Sequence, residues 1–318
     1  MCTCFILANP HLIYRIQMNK FFKIFLFLIL TGFGSIAHSQ TTDLARIEYT
    51  YFPQSISDNA FRRFKSFVNF PIKLNDNGAY LIPGVEFQHI NFDYVDTALF
   101  NTSELEKYQS YTFNLGYTLK ISDVWRLGVE GGVKVASNFE RKKIITDDMI
   151  YTGGFYLIRT KEHQQYIEPT RLILGLEYST TSGIPFPLPI INYYKRFDPK
   201  WSYSIGVPKS NLKYYFNDKN SMQGFITLDG FYANIQTNFD LTPINPNSNA
   251  LAESISMRIL LSGLGYEYNF TEHISFYIYG GHTIINDIRL RDGNLDKVYT
   301  INNKNALYGR AGLKLNIL

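Results

Sequence analysis

Cysteine is almost absent from this chain of 318 residues, in which the only two are Cys2 and Cys4. Both lie ahead of a segment that we expect to be removed on export, so the exported chain has no thiol. Disulfide frameworks, zinc–thiolate sites and cysteine nucleophiles are therefore excluded for it.

Histidine is scarce as well. Beyond residue 40 the histidines are His89, His163, His273 and His282. None has a serine or aspartate at a spacing typical of a hydrolase, so we interpret all four as structural. We predict no catalytic residue, no metal ligand and no cofactor, although groups brought together from different strands would not show in the sequence.

Long apolar runs are missing apart from one near the N-terminus. Ile24–Ile36 has 13 residues, fewer than the roughly 20 of a transmembrane helix and within the roughly 7–15 of a signal-peptide core. Two lysines precede it, and Ala37-His38-Ser39 supplies the small residues of a cleavage site. We expect a secretory leader that is cleaved to leave Gln40 as the mature N-terminus.

The domain organisation follows from this leader. A complete signal peptide at 18–39 begins at its own methionine. We therefore expect translation to start at Met18 and residues 1–17 to be wrongly included in the sequence. The mature chain, 40–318, is then one domain. Removal of the leader takes away three basic residues and no acid, which lowers the formal net charge from +4 to +1. This balance gives no electrostatic reason to expect nucleic acid as a partner.

Charged residues are also few. They make up 18% of the chain, compared with roughly 25% in soluble globular proteins, whereas aromatic residues reach 16%. The mature chain has no further apolar stretch long enough to cross a membrane as a helix. Low charge together with many aromatics is typical of a barrel that has one lipid-facing side and one wet side.

Alternation with a period of two dominates the mature chain. In Tyr111–Ile121 the odd positions are large and apolar or aromatic, and the even positions are polar or glycine. After a turn at Ser122-Asp123, the run Trp125–Val135 largely repeats the pattern. Successive side chains of a strand point to opposite faces, so this hairpin has one apolar face and one polar face. The alternation changes phase at Ser262-Gly263, where we expect a glycine bulge.

The hairpin that begins at Leu115 has an ungapped counterpart beginning at Leu264 and a weaker third copy beginning at Ile191. Their tight turns, which we expect at the same end of the molecule, lie at 122–123, 198–200 and 271–273. The longer connections, expected at the other end, lie at about 95–107, 138–148, 240–253 and 287–303. Short turns on one rim and long loops on the other are typical of outer-membrane barrels.

We therefore predict an all-β fold, a transmembrane antiparallel β-barrel of about 12–14 strands with short periplasmic turns and longer outer loops. The count is 14 if 151–161 is a strand and 201–217 breaks in two near Pro208, and 12 otherwise. The break would leave Trp201–Val207 shorter than the roughly 9–11 residues of a spanning strand. The rival fold, a secreted β-sandwich, has strands of about 5–6 residues, half the length of the runs seen here.

Three segments give the chain a resemblance to a known family. They are Gly153–Ile158, Ser182–Phe216 and the final strand Arg310–Leu318, which is similar to the C-terminal signal recognised during barrel assembly, with Leu318 in place of the usual aromatic. Over nearly all of 40–318 the chain resembles a family of uncharacterised outer-membrane β-barrel proteins of Gram-negative bacteria. The resemblance implies a barrel in the bacterial outer membrane, in contact with membrane lipid and the barrel assembly machinery, but no activity.

Charged residues on the polar face are the candidate functional residues. We predict that the pore is lined by Lys120, Arg126, Glu130, Lys134, Arg171, Glu177, Arg310 and Lys314. Two interpretations stay open: a salt-bridged filling that closes the lumen, or a polar passage with a slight excess of cations. Glycines on the same face favour a passage because they make room, unless they serve strand bending. These glycines lie at positions 116, 128, 132, 175 and 312.

A barrel of 12–14 strands lies between 8-stranded barrels, whose interior is filled, and those of 16–18 strands, which hold an aqueous channel. We predict passive passage or binding of small polar solutes, porin-like or gated. The alternatives are a lipid-modifying enzyme of the outer membrane and a closed structural or adhesion barrel without transport.

Overall fold

A computed structural model describes residues 43–53, 60–94, 102–161, 169–241 and 251–316. The predicted leader at 1–39 lies outside the described residues, as do His163, Leu318 and parts of the predicted loops at 95–107 and 240–253. Within the described ranges, no helix has the length and hydropathy needed to cross a membrane.

The described ranges contain sixteen β-strands and two short 3-10 turns, at Ser103–Leu105 and Thr146–Asp148. The strands are β1 (Asp43–Phe52), β2 (Ala60–Asn69), β3 (Ile72–Lys73), β4 (Tyr80–Asp93), β5 (Lys107–Lys120), β6 (Trp125–Ser137), β7 (Met149–Lys161), β8 (Thr170–Ser179), β9 (Phe186–Asp198), β10 (Trp201–Val207), β11 (Lys209–Tyr215), β12 (Asn220–Asp240), β13 (Leu251–Asn269), β14 (Ile274–Arg291), β15 (Lys297–Asn302) and β16 (Leu307–Asn316).

Fourteen of these strands close into an antiparallel barrel, which confirms the predicted fold class. Around the ring, β1, β2 and β4 are followed in chain order by β5 to β14, and β14 is joined through β16 back to β1. The closing pair places Asp43 opposite Asn316. The short strands β3 and β15 only add to β4 and β14. Closure removes the two edge strands of an open sheet, which are its weak point.

Both conditions for 14 strands are met. Residues 151–161 lie in β7, and the chain between 201 and 217 divides into β10 and β11 on either side of Pro208. Each of these two strands has seven residues, so the wall is shorter here along the barrel axis than elsewhere.

The two rims differ as predicted. We call the end at which Asp43 and Asn316 pair the terminal rim, and the opposite end the distal rim. Because the strands alternate in direction, the turns at 122–123, 198–200 and 271–273 all lie at the terminal rim. The connections that follow β4, β6, β12 and β14 lie at the distal rim and are longer.

The alternation also assigns the faces of the wall as predicted. Tyr111, Phe113 and Leu115 point outward and are 50%, 70% and 51% exposed, whereas Ser110, which precedes Tyr111 and points inward, is fully buried. The same contrast recurs along the other strands, so the outward face of the barrel is an apolar, aromatic-rich belt.

Three long strands fold into the lumen. The strands β12, β13 and β14 have 21, 19 and 18 residues, but β11 stops pairing with β12 at Lys209 and Thr227. Beyond this point β12 crosses the lumen, and Asn234 pairs with Ser137 of β6, which is six of fourteen positions away around the ring. We call Asp229–Asp240, Leu251–Ile259 and Asn286–Arg291 together the inserted sheet.

The hydrophobic core lies between the inserted sheet and the inner wall of β1 to β5, in the distal part of the lumen. On the inserted sheet, Phe231 is fully buried and its ring centre lies 6.0 Å from that of Tyr108 in β5. The wall contributes a chain of aromatic contacts, such as Phe52 with Phe61 at 5.2 Å. The remaining buried apolar members include Ala233, Ile235, Ile255, Met257, Ile259, Ile288, Leu290, Ile90 and Phe92.

The glycine bulge predicted at Ser262-Gly263 is wrong. The pairing of β13 with β12 continues through this point without a shift, and the shift against β14 falls between Leu260 and Leu261 instead. The apparent change of phase has another cause. Leu261 points inward to the core, whereas Leu264 points outward and is 58% exposed, so apolar residues occur on both faces of one regular strand.

Candidate functional site

A polar cavity of about 480 Å³ lies in the lumen beside the inserted sheet. Its volume falls in the range of about 300–1,000 Å³ that is usual for small-molecule sites. Among the described residues, its lining contains equal numbers of basic and acidic side chains, so the predicted excess of cations is not found here. They are Arg46, Arg63, Lys65, Lys134 and Arg310, and Glu48, Glu86, Glu130, Glu177 and Asp229.

Asp229 of the inserted sheet is held by two arginines of the wall. Arg63 of β2 donates from both terminal nitrogens to the Asp229 carboxylate, at 2.8 and 2.6 Å. Arg310 of β16 donates to the same carboxylate at 2.7 Å. Arg63 is 4% exposed, and removing one partner of a buried ion pair costs about 3–5 kcal/mol. These bonds tie the first residue of the inserted sheet to the opposite wall.

A second carboxylate completes this network. Glu48 of β1 is 3% exposed and lies 3.5–3.7 Å from the guanidinium nitrogens of three arginines, while the Tyr277 hydroxyl donates to it at 2.7 Å. Next to it, Lys65 pairs with Glu86 at 2.8 Å. Arg46 also pairs with Asp43 outside the cavity, so each charge of the network on β1, β2, β4, β12 and β16 is compensated.

Lys134 of β6, unlike the charges of this network, has no carboxylate in direct contact within the described ranges. It is 4% exposed, yet no carboxylate of the described residues lies within salt-bridge distance of its ammonium group. Its Nζ donates to Thr180 Oγ1 at 2.8 Å and lies 5.4 Å from the centre of the Phe231 ring, a cation–π contact. Its direct contacts are therefore neutral, and the Glu86 carboxylate, which is paired with Lys65, attracts it only from beyond salt-bridge distance.

Glu130 and Glu177 carry the unmatched negative charge of the cavity. Glu130 of β6 is in register with Gly154 of β7, which is in register with Glu177 of β8, so the two carboxylates flank a glycine on the lumen wall. The Tyr156 hydroxyl donates to Glu177 at 3.3 Å. Within the described part of the chain, neither glutamate has a cation at salt-bridge distance.

Inward glycines lie under tyrosine rings. A Cβ atom at Gly154 would meet the Tyr156 hydroxyl at 2.5 Å, and one at Gly175 would meet the Tyr156 ring at 2.7 Å. A Cβ at Gly312 would likewise meet the Tyr277 hydroxyl at 2.6 Å. At Gly175 and Gly312, two of the five glycines that we interpreted as room for solutes, the space thus lets tyrosines lie flat along the wall, as in the aromatic rescue of glycine known from other sheets.

The eight predicted pore-lining residues divide into two groups of four. Glu130, Lys134, Glu177 and Arg310 line the cavity. The other four lie closer to the terminal rim and do not line it. Their pore-lining role stays a prediction for all eight.

The four residues near the terminal rim have local partners. Lys120 pairs with Asp123 in the adjacent turn at 2.9 Å, and Arg126 donates to the backbone carbonyl of Gly78 at 2.6 Å. Arg171 is in register with Thr160 and Tyr194. Lys314 donates at 3.0 Å to Glu267, a buried carboxylate that also accepts bonds from Lys213, Gln223 and Tyr279.

Sequence reasoning missed six of the ten charged residues of the lining. Arg46 and Glu48 alternate with outward residues such as Ile47, so the period-two pattern that selected the other candidates would have found them. Glu86 of β4 likewise lies between Val85 and Phe87, but the signal is weaker for Arg63 and Lys65, which share their face of β2 with Phe61 and Phe67. Asp229 had no such signal, since its role depends on β12 leaving the wall.

Among the described residues, no group of three or more His, Cys, Asp or Glu side chains could hold a metal ion.

The chain belongs to the family DUF6268, described as a domain of unknown function, whose sequence model matches residues 37–316. No curated protein matches it. Among solved structures, the chain is similar to the KdgM porin, with 8% identity and a TM-score of 0.33, over 86% of this chain and 99% of that one. It is similar to Pseudomonas putida OprB, with 9% identity and a TM-score of 0.38, over 86% and 93%.

A third similar structure is the β domain of the Bordetella autotransporter BrkA, with 8% identity and a TM-score of 0.28, over 86% and 98%. Similarities this distant do not bear on function.

Proposed function

We propose that this protein is an outer-membrane barrel that binds small polar solutes in its lumen and passes them when the inserted sheet moves. The observation that carries the proposal is the charged cavity of about 480 Å³ inside a closed 14-stranded wall. A wall with an apolar outer face and a polar interior is suited to lipid outside and aqueous solutes inside.

The location follows the same reasoning. The outward belt, with residues such as Phe113 at 70% and Tyr151 at 69% exposure, would be a large aggregation-prone surface in water but is matched by lipid. On this proposal the leader is removed on export to leave 40–318. The barrel assembly machinery would then recognise the C-terminal strand, β16, which closes the ring against β1.

Gating is part of the proposal because the inserted sheet fills the distal part of the lumen. The sheet is held by a limited set of contacts: the Asp229 ion pairs, the apolar core and the bonds of Asn234 and Gln236 to the β6–β7 connection. A segment held in this way can leave the lumen without opening the wall, since the pairing of β12 with β11 and β13 up to Leu228 does not depend on it.

The test removes the inserted hairpin and measures conductance. Residues 231–257 are replaced by Asn-Gly, a two-residue hairpin turn, which retains Asp229 and joins the registered pair Gly230 and Arg258. In planar bilayers we expect rare, brief openings of the full-length protein and long-lived openings of the shortened one.

Folding of both proteins is checked by the difference in gel mobility between boiled and unboiled samples. A shortened barrel that folds but conducts no better than an empty bilayer would contradict passage and favour a closed structural barrel. Turnover of phospholipid by either protein in detergent would instead favour the lipid-modifying enzyme.

A further inference from the structure

The unmatched charges of the cavity have opposite signs and lie at different heights along the same wall. Lys134 and Glu130 are four residues apart on β6, so their Cα atoms are separated by about 13 Å. Lys134 lies towards the distal rim, beside Thr180 and the inserted sheet. Glu130 and Glu177 lie nearer the terminal rim, across Gly154.

Within the described residues, the rest of the cavity supplies no counter-charge in direct contact with these groups, although Glu86 attracts Lys134 from beyond salt-bridge distance. The arginines at positions 46, 63 and 310 and Lys65 are engaged with Asp43, Glu48, Asp229 and Glu86. A buried ammonium group and two half-buried carboxylates are costly without partners of opposite charge. In addition, Gln88 is 5% exposed, lines the cavity and has a side-chain oxygen with no donor in the described part of the chain.

We infer that the cavity binds a small zwitterionic solute whose two charges are about 10 Å apart, the chemistry of an unblocked short peptide. This inference rests on the proposed function and names its class of solute. The carboxylate of the solute lies against Lys134 and Thr180, and its ammonium group lies against Glu130 and Glu177.

The charges of the cavity favour a zwitterion over a single ion. An anion alone would pair with Lys134 but would leave both glutamates unmatched, and a cation alone would leave Lys134 unmatched. An extended tripeptide spans about 10 Å, which fits between groups whose Cα atoms lie about 13 Å apart.

The experiment uses four forms of one tripeptide: triglycine, N-acetyl-triglycine, triglycine amide and N-acetyl-triglycine amide. They share a backbone and differ only in whether each end is charged. Binding to the purified full-length barrel in detergent is measured by calorimetry at low salt. We expect triglycine to bind about tenfold more tightly than either singly charged form, the effect of one charge-assisted contact.

Two variants assign the ends. In Lys134→Met, triglycine should bind no better than triglycine amide, because the carboxylate has lost its partner. In the double variant Glu130→Gln with Glu177→Gln, triglycine should bind no better than N-acetyl-triglycine. The matched control is Lys73→Met, which removes an exposed lysine paired with Asp76 outside the cavity and should leave all four affinities unchanged.

Equal binding of all four peptides by the wild-type barrel would overturn the inference, and this arm needs no variant to fold. If the shortened barrel conducts but the full-length barrel does not discriminate among the peptides, the proposed passage of solutes is supported and only the inference of a zwitterionic solute is contradicted. Discrimination without conductance in the shortened barrel would retain the site and contradict passage.

Discussion

The hairpin β10–β11 and the neighbouring pair β12–β13 belong to the same wall but differ about threefold in strand length. The short strands have seven residues each, and the long ones have 21 and 19. Because the short hairpin ends at Pro208, whose carbonyl accepts from the Leu228 amide, the rest of β12 has no neighbour on that side. Buried backbone groups must find partners, and β12 finds them across the lumen at Ser137.

On the other side of the short hairpin, the neighbouring strand β9 stays in the wall. There β9 extends beyond β10, whose last pair is Val207 with Ile191, and so Phe186–Ile190 also has one unpaired edge. This stretch contains Pro187 and Pro189, which have no backbone N–H to leave unpaired. One exposed edge is thus made tolerable by proline and the other is inserted into the lumen. The comparison shows that two short strands in the wall can cause the longer strand beside them to fold into the lumen.

The largest loss of stability should come from shortening a buried side chain of the inserted sheet, and we compare it with the same substitution in the short hairpin β10–β11. Ile235 of the inserted sheet is fully buried, whereas Ile205 of β10 is 63% exposed. Ile235→Ala should reduce the free energy of unfolding by about 2–5 kcal/mol, and Ile205→Ala should change it by less than about 0.5 kcal/mol. Denaturant unfolding in detergent measures both, and equal losses would show that Ile235 does not pack in a core.

A smaller effect is expected where the inserted sheet meets the β6–β7 connection. The buried carboxylate of Asp148 accepts from Asn234 at 2.9 Å, from Gln236 at 2.7 Å and from the Ile145 amide at 2.9 Å. Gln236 keeps its bond to the Lys143 carbonyl and the half-buried Ile145 amide can bond to water, so Asp148→Ala leaves mainly the Asn234 amide unpaired. The variant should therefore cost about 1–3 kcal/mol. We expect more frequent openings in planar bilayers.

The neighbouring, exposed Asp147 provides the control. Asp147→Ala should leave the opening frequency unchanged. If both alanine variants open equally often, the bonds to Asp148 do not hold the inserted sheet in place.

The smallest effect should come from the glycines of the wall. A Cβ at Gly175 would lie 2.6 Å from the Phe155 carbonyl oxygen and 2.7 Å from the Tyr156 ring, whereas one at Gly131 would have no atom within 4 Å. Gly175→Ala should therefore destabilise the barrel by about 1–3 kcal/mol, and Gly131→Ala should not. The temperature at which the unboiled gel band is lost distinguishes them, and a neutral Gly175→Ala would mean that Tyr156 does not lie on the glycine.

Much of the wall could be predicted from single strands. The outward position of Phe113 and the tight turn at Ser122-Asp123 follow from local patterns, and the structure confirms both. The structure also shows the break near Pro208 that the sequence left open. The inserted sheet could not be predicted in this way. Phe231, Ala233 and Ile235 alternate with polar and aromatic residues in the same way as residues of the wall, so nothing in β12 marks where it leaves the wall.

For the cavity, too, one part could be predicted from the sequence and another could not. Alternation selected Glu130, Lys134, Glu177 and Arg310, which do line it. It could not show which charges are paired, because the partners of Asp229 come from strands more than 80 residues away in sequence or on the far side of the ring. The use of inward glycines was also hidden, since Tyr156 covers Gly154 on its own strand and Gly175 on the next.

The sequence by itself determined a two-faced, antiparallel barrel with unequal rims, because the period of two is a property of each strand's own backbone. Only the tertiary structure decided what fills the barrel. The insertion of β12, the compensation of Asp229 and the isolation of Lys134 depend on which strands stand opposite one another across the closed ring. That arrangement is set by the number and lengths of all the strands together, and no single segment encodes it.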